Sequence, residues 1–164
     1  MHDEMHRYGY EGVGKMIDEI DVRILEILAE HGNATSTEIA SRIKLSVPAI
    51  NKRINKLSKS NVIEKYTISV NAQMVSKPLM AFIFIEFEGY EVFDKLFAVV
   101  KDDKDFLEFY TITGDFDYIL KVRAKDMLDV ERKLARIKAV TGVTRTNTMF
   151  TLIAHKNEPT VLPD

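Results

Sequence analysis

Residues 35–63 read TSTEIASRIKLSVPAINKRINKLSKSNVI, and this stretch decides the architecture of the N-terminal part. Thr35-x-x-Glu38 predicts a capping box, in which each side chain satisfies the other residue's free backbone donor at a helix start. Ile39, Ala40 and Ile43 then recur at helical spacing over about two turns. Lys44-Leu45 is a tight break. Ser46 caps the next helix, with Pro48 in its first turn, where a missing N–H does no harm. Val47, Ile50, Ile54 and Leu57 form the buried stripe of that helix. Its opposite face presents Pro48, Ala49, Asn51, Lys52, Arg53, Asn55, Lys56 and Lys59. Two short helices joined by a tight turn, the second one basic, match helix-turn-helix geometry. Amide and cationic side chains on one face can meet base edges and phosphates together. The predicted contacts to double-stranded DNA are those eight residues with Ser36 and Ser46. A three-helix bundle with a solvated basic surface is the plainer alternative.

Upstream, Asp18 caps a helix whose apolar positions Ile20, Ile24, Leu25, Ile27 and Leu28 face one side, and Gly32-Asn33 stops it. A net charge of −2 over 164 residues does not announce a nucleic-acid binder, but the distribution of charge does more. No acid falls between Ile39 and Ile63, where Arg42, Lys44, Lys52, Arg53, Lys56 and Lys59 are all cationic. Such a local basic face on a mildly acidic chain suits a DNA-binding module joined to a neutral partner domain.

There is no cysteine, which excludes disulfides and thiolate chemistry. His2, His6, His31 and His155 are too scattered to suggest a metal cluster, and no cofactor is expected. Residues 1–16 contain no apolar core of a secretory signal and read as a flexible leader, in which Tyr8 and Tyr10 could dock on a partner chain. The longest apolar run, Leu79 to Ile85, is too short to span a membrane, so a cytoplasmic location is expected.

The remainder predicts an α+β domain. Tyr66 to Val70 alternates like a connecting strand, and Asn71 to Pro78 reads as a hinge. Leu79 to Phe87 is a strand apolar on both faces. Glu91 to Val100 follows as a helix burying Val92, Phe93, Leu96 and Val99 or Val100. Phe106 to Ile112 and Asp117 to Ala124 form a hairpin around Gly114. Met127 to Val140 is an amphipathic helix, with Leu128, Leu134, Ile137 and Val140 inward and Arg132, Lys133 and Arg136 outward. Thr144 to Ala154 closes the sheet. The order βαββαβ is the ferredoxin-like plan, with helices on one face of the sheet only. The bare face, carrying Phe82 and Phe84 or their odd-numbered neighbours, calls for a second copy, hence a homodimer. The domain scheme is a leader at 1–16, a DNA-binding unit at 17–64, a linker at 65–78, an assembly and effector domain at 79–155 and a tail at 156–164.

At this point the chain resembles the leucine-responsive regulator/AsnC, or feast/famine, family of transcription regulators. The residues that carry the resemblance are Ile17-Asp18-Glu19-Ile20-Asp21, Ile24-Leu25, Leu28, Thr37-Glu38-Ile39-Ala40, Leu45-Ser46-Val47-Pro48-Ala49-Ile50, Arg53-Ile54, Leu57 and Val62-Ile63-x-x-Tyr66. The match continues with Thr113-Gly114-Asp115-Phe116-Asp117-Tyr118 and Gly142-Val143-Thr144-Arg145-Thr146. The resemblance implies a (winged) helix-turn-helix, sheet-to-sheet dimers with tetramers or octamers as further assemblies, and amino acids bound near the Gly114 loop between dimers. Two departures stand out. Lys44 occupies the turn where the family usually has glycine, which costs roughly 1 kcal/mol if it is left-handed. Asn61 replaces the usual glycine after the reading helix and tolerates that conformation better.

Gly114, Asp115 and Asp117, with Thr146 and Thr148 nearby, are the expected effector residues. Two carboxylates on a glycine loop suit an ammonium group while backbone donors hold a carboxylate, although Gly-Asp is also ordinary turn chemistry. Enzymatic function is not expected: Glu86, Glu88 and Glu108 could line a face, yet no paired base, nucleophile elbow or phosphate loop accompanies them. An architectural DNA binder without an effector remains a distinct alternative.

Overall fold

Each N-terminal helix begins where a side-chain oxygen meets its free amides. In the computed structural model, which describes residues 17–89, 92–158 and 160–163, α1 (Glu19–Glu30) starts at Asp18. The Asp18 carboxylate accepts from the amides of Ile20 and Asp21, and Asp21 in turn accepts from the Asp18 amide, so this start is also a capping box. α2 (Ser36–Ile43) opens on the reciprocal Thr35–Glu38 box, with the Thr35 amide 2.6 Å from Glu38 Oε2. α3 (Val47–Lys59) is capped by Ser46. Lys44 takes the left-handed conformation in the turn (φ 62°, ψ 45°), and Asn61 does so after α3 (φ 58°). Ile24, Ile39, Ala40, Ile50 and Leu57 form the buried centre of this unit. The leader with Tyr8 and Tyr10, and Glu91, lie outside the described residues.

The chain divides into two compact units: residues up to Ser69 with those from Glu158 onward, and Val70–Asn157. Residues 64–70 correct the strand expected there. They form no strand pairing among the described residues, and Tyr66 and Ile68 stay exposed. Alternation makes a segment compatible with a strand, but a strand also needs a neighbour's free edge.

The second unit runs β1 (Leu79–Phe87), α4 (Val92–Val100), β2 (Phe106–Thr111), β3 (Tyr118–Ala124), α5 (Met127–Lys138) and β4 (Val143–Phe150). All pairings are antiparallel, in the order β2-β3-β1-β4, with β1 and β3 at the centre. Register decides the faces. Ala81, Ile83 and Ile85 point with Val122, Leu120 and Tyr118 toward Val92, Leu96, Val100, Ile137 and Val140 of the helical layer. Met80, Phe82, Phe84 and Glu86, with Ile119, Lys121, Arg145 and Met149, make the bare face.

Three side chains depart from the expected pattern. Phe93 is 43% exposed, because Val92, Leu96 and Val100 already fill the inward stripe; it stacks instead on Phe97 and Phe109. On α5, Leu128 is 55% exposed while Lys133 is only 6% exposed, since Val130, Lys133 and Ile137 share the inward face. Lys133 can be buried because Asp105 and Asp129 lie 2.9 and 3.0 Å from its Nζ, with Lys77 also 2.6 Å from Asp105. Burial alone would raise the two carboxyls, but Lys133 and Lys77 hold both below the usual carboxylate range, helped at Asp129 by the Lys125 amide. Among the described glycines, Gly142 (φ +101°) is the one without room for a side chain. A Cβ there would collide with the Val92 side chain and stand 2.9 Å from the Glu88 carbonyl, and the Glu88 amide donates to the Gly142 carbonyl.

Candidate nucleic-acid interface

The outer surface of α3 is a shallow concavity lined by Pro48, Asn51, Lys52, Asn55, Lys56, Lys59 and Ser60. The apolar stripe places these residues there: Ile50 and Leu57 are buried, so their helical opposites turn to solvent. Ser46 is exposed with its hydroxyl used as the cap, and Ala49 is half-buried. Ser36 donates from Oγ to Asn51 Oδ1 at 2.6 Å, tying the first turn of α2 to the reading face. Among the described residues Lys52 and Lys59 make no ion pair.

Arg53 is placed differently. Its Nη1 lies 2.8 and 2.7 Å from the two oxygens of Asp18 and 2.7 Å from Asp21 Oδ1, and Lys56 Nζ stands 3.3 Å from Asp21 Oδ2. The Asp21 side chain is 0% exposed. The guanidinium hydrogen bond holds the Asp18 carboxyl below its ordinary range, and the carboxylates raise Arg53 in return. Asp18 was legible as a cap; its second role as an anchor for Arg53, and Asp21 altogether, were not.

The expected effector residues are split by the sheet. Gly114 (φ +121°) turns the β2–β3 loop in open space. Phe116 of that loop packs on Phe84 of the bare face, beneath the Arg145 guanidinium at 4.5 Å. Arg145 also pairs with Glu86 at 2.6 Å and donates to the Asp115 carbonyl, a role that no residue pattern announced. Asp117 Oδ2 accepts the Phe87 amide at 3.0 Å and so closes the end of β1. The Asp115 residue is exposed. Thr146 and Thr148 pair with Ile85 and Ile83 and therefore share the helix-covered face, where the Thr148 hydroxyl is buried without a partner.

A tethered helix-turn-helix followed by a one-face-covered βαββαβ sheet defines a two-domain DNA-binding regulator. Residues 17–64 match the winged helix-turn-helix DNA-binding family, and residues 80–161 match the Lrp/AsnC ligand binding domain. The HTH-type transcriptional regulator FL11 of Pyrococcus abyssi is 37% identical over 147 residues, covering 90% of this chain and 96% of that protein. The feast or famine regulatory protein of M. tuberculosis, solved with L-methionine, superposes with a TM-score of 0.80 at 29% identity, covering 89% of this chain and 99% of that one. A transcriptional regulator from Neisseria meningitidis, solved as an L-Met complex, has the same fold at a TM-score of 0.84 and 24% identity, over 88% and 96% of the two chains. The chain belongs to the Lrp/AsnC family and is a helix-turn-helix transcription regulator.

Proposed function

We propose that the chain acts in the cytoplasm as a homodimer, or as tetramers or octamers built from dimers, that reads a specific duplex through two copies of α3. It works by binding rather than by catalysis. The observation that carries this reading is the α3 surface, where amides and lysines stand together with no carboxylate among them. Two or three phosphate contacts per protomer, from Lys52, Lys59 and Lys56, amount to four to six in a dimer and a log K versus log salt slope of about −4 to −5. Fluorescence anisotropy across a salt series measures that slope. Unchanged binding in a Lys52→Ala, Lys56→Ala, Lys59→Ala variant would remove α3 from the interface.

The bare face, with Met80, Phe82, Phe84, Ile119 and Met149, supports dimerisation, because monomers rarely leave such a patch to water. A small amino acid is the effector class, supported by the match to a ligand binding domain and by the L-methionine bound to the two solved relatives. In this reading Asp115 meets the ammonium group and Asp117 and Gly114 shape the loop, whereas Thr146 and Thr148, on the helix-covered face of every copy, stay outside the ligand site. Melting curves with each of the twenty amino acids test it. A ligand specific for the folded state at 100 times its Kd adds about 2.7 kcal/mol. No shift with any of them would leave an architectural DNA binder.

A further inference from the structure

We infer that Arg53 is a positioning residue rather than a DNA contact: clamped by Asp18 and Asp21, it fixes how the reading helix α3 sits on α1. The inference rests on the reading that α3 meets DNA. The apolar contacts of Ile24, Ile39, Ile50 and Leu57 hold the helices together but are non-directional, so by themselves they tolerate small rotations and slides of α3. A guanidinium bound to two carboxylates is directional. Both carboxylates belong to the capping box of α1, so they are themselves held by backbone amides.

The alternative, that Arg53 swings out to a phosphate, has a specific cost. Asp21 is fully buried, and without Arg53 it would keep, among the described residues, Lys56 at 3.3 Å and the Asp18 amide at 3.4 Å. A buried carboxylate stripped of its main partner is strongly disfavoured, whereas the phosphate gains a contact that Lys52 or Lys59 can supply without breaking anything. Arg53 and Lys56 sit against two anions drawn from outside the acid-free segment, so the basic character of that segment overstates what α3 offers to DNA.

Asp18→Asn in the full chain is the sharpest test, because asparagine caps a helix as well as aspartate and Asp18 is exposed. The probes are a duplex selected by this protein from a randomised pool and a random-sequence duplex of equal length, each titrated over a salt series. The expected result is about fivefold weaker binding to the selected duplex, unchanged or slightly tighter binding to the random one, and an unaltered salt slope. If Arg53 contacts phosphate, removing the carboxylate that competes for it would instead tighten binding to both duplexes alike. That result overturns the inference. Arg53→Ala should likewise lower the ratio of selected to random binding at constant slope, and a slope flattened by about 2 would overturn the inference too. Lys52→Ala, which should flatten the slope, separates the two ideas: no change there refutes the α3 interface itself.

Discussion

Replacing Lys133 by methionine isolates the charge cluster that joins the hinge end of the second unit to α5. Met keeps the length and apolar stem of lysine, so the change is chiefly the loss of one ammonium group. That group stands 2.9 Å from Asp105 and 3.0 Å from Asp129, whose side chains are 19% and 12% exposed. Removing one partner of a buried pair costs about 3–5 kcal/mol, because it strands the other charge. Asp105 keeps Lys77 at 2.6 Å, but Asp129 keeps only the Lys125 amide and Lys77 at 3.9 Å, which argues for about 3 kcal/mol. For a unit of this size that lowers the melting temperature by about 12–24 °C in calorimetry. Adding Asp129→Asn removes the stranded charge, so the double variant should melt above the single one. The pH dependence has a definite sign. Asp105 and Asp129 are depressed, so their contribution is present above the unfolded value near ~4 and is lost as pH falls through their folded values. Lys133 is raised, since its two aspartates outweigh burial, so its contribution is present below about 10 and is lost as pH rises through its folded value. A Lys133→Met protein melting within about 4 °C of the parent at pH 7 would mean that these ions are solvated, and the reasoning would fall.

Gly142→Ala must clear the Val92 side chain while holding a positive φ, and should lower stability by about 2–4 kcal/mol in urea unfolding. Lys44→Gly relieves the left-handed lysine of the helix-turn-helix turn and should raise the urea midpoint of the N-terminal unit by an amount worth about 0.5–1 kcal/mol, unchanged DNA affinity being the control. Phe84→Glu puts a carboxylate on the bare face beside Phe116 and should convert dimers to monomers in sedimentation at micromolar concentration. Asp115→Ala should leave the melting temperature unchanged but blunt the amino-acid response, whereas Asp117→Ala should lower melting itself by removing the acceptor of the Phe87 amide.

What could be read from residue order divides along physical lines. Asp18, Thr35 and Ser46 marked the three N-terminal helices because a cap acts on amides two or three residues away, within its own segment. The faces of β1 were not legible. Nine residues that are nearly all apolar carry no period-two signal, and only the helices above Ala81, Ile83 and Ile85 reveal which side is covered. The carboxylate partners of Arg53 and the burial of Lys133 were not legible for one shared reason. A cation signals solvent unless its carboxylate is known, and the partner of Arg53 lies 35 residues away in sequence. The split of Asp115 from Thr146 and Thr148 follows from strand register, which a hairpin glycine does not specify for a strand beyond the hairpin.

The central place of β1 has a consequence during synthesis. This strand leaves the ribosome first among the four, yet both of its neighbours, β3 and β4, come later, and β4 ends only at Phe150. At ~5–20 residues per second, the roughly 60 residues between Phe87 and Phe150 take about 3–12 s. The N-terminal helices, whose contacts are local, can fold at once on the nascent chain. The sequence LMAFIFIEF has two open edges until β3 follows and one until β4 does, with an apolar side chain at most positions, a composition that aggregates if left uncovered. Yield in the cell should therefore depend on how fast β3 and β4 follow, and slowing translation between Gly114 and Phe150 should lower soluble protein without altering a single contact of the finished fold.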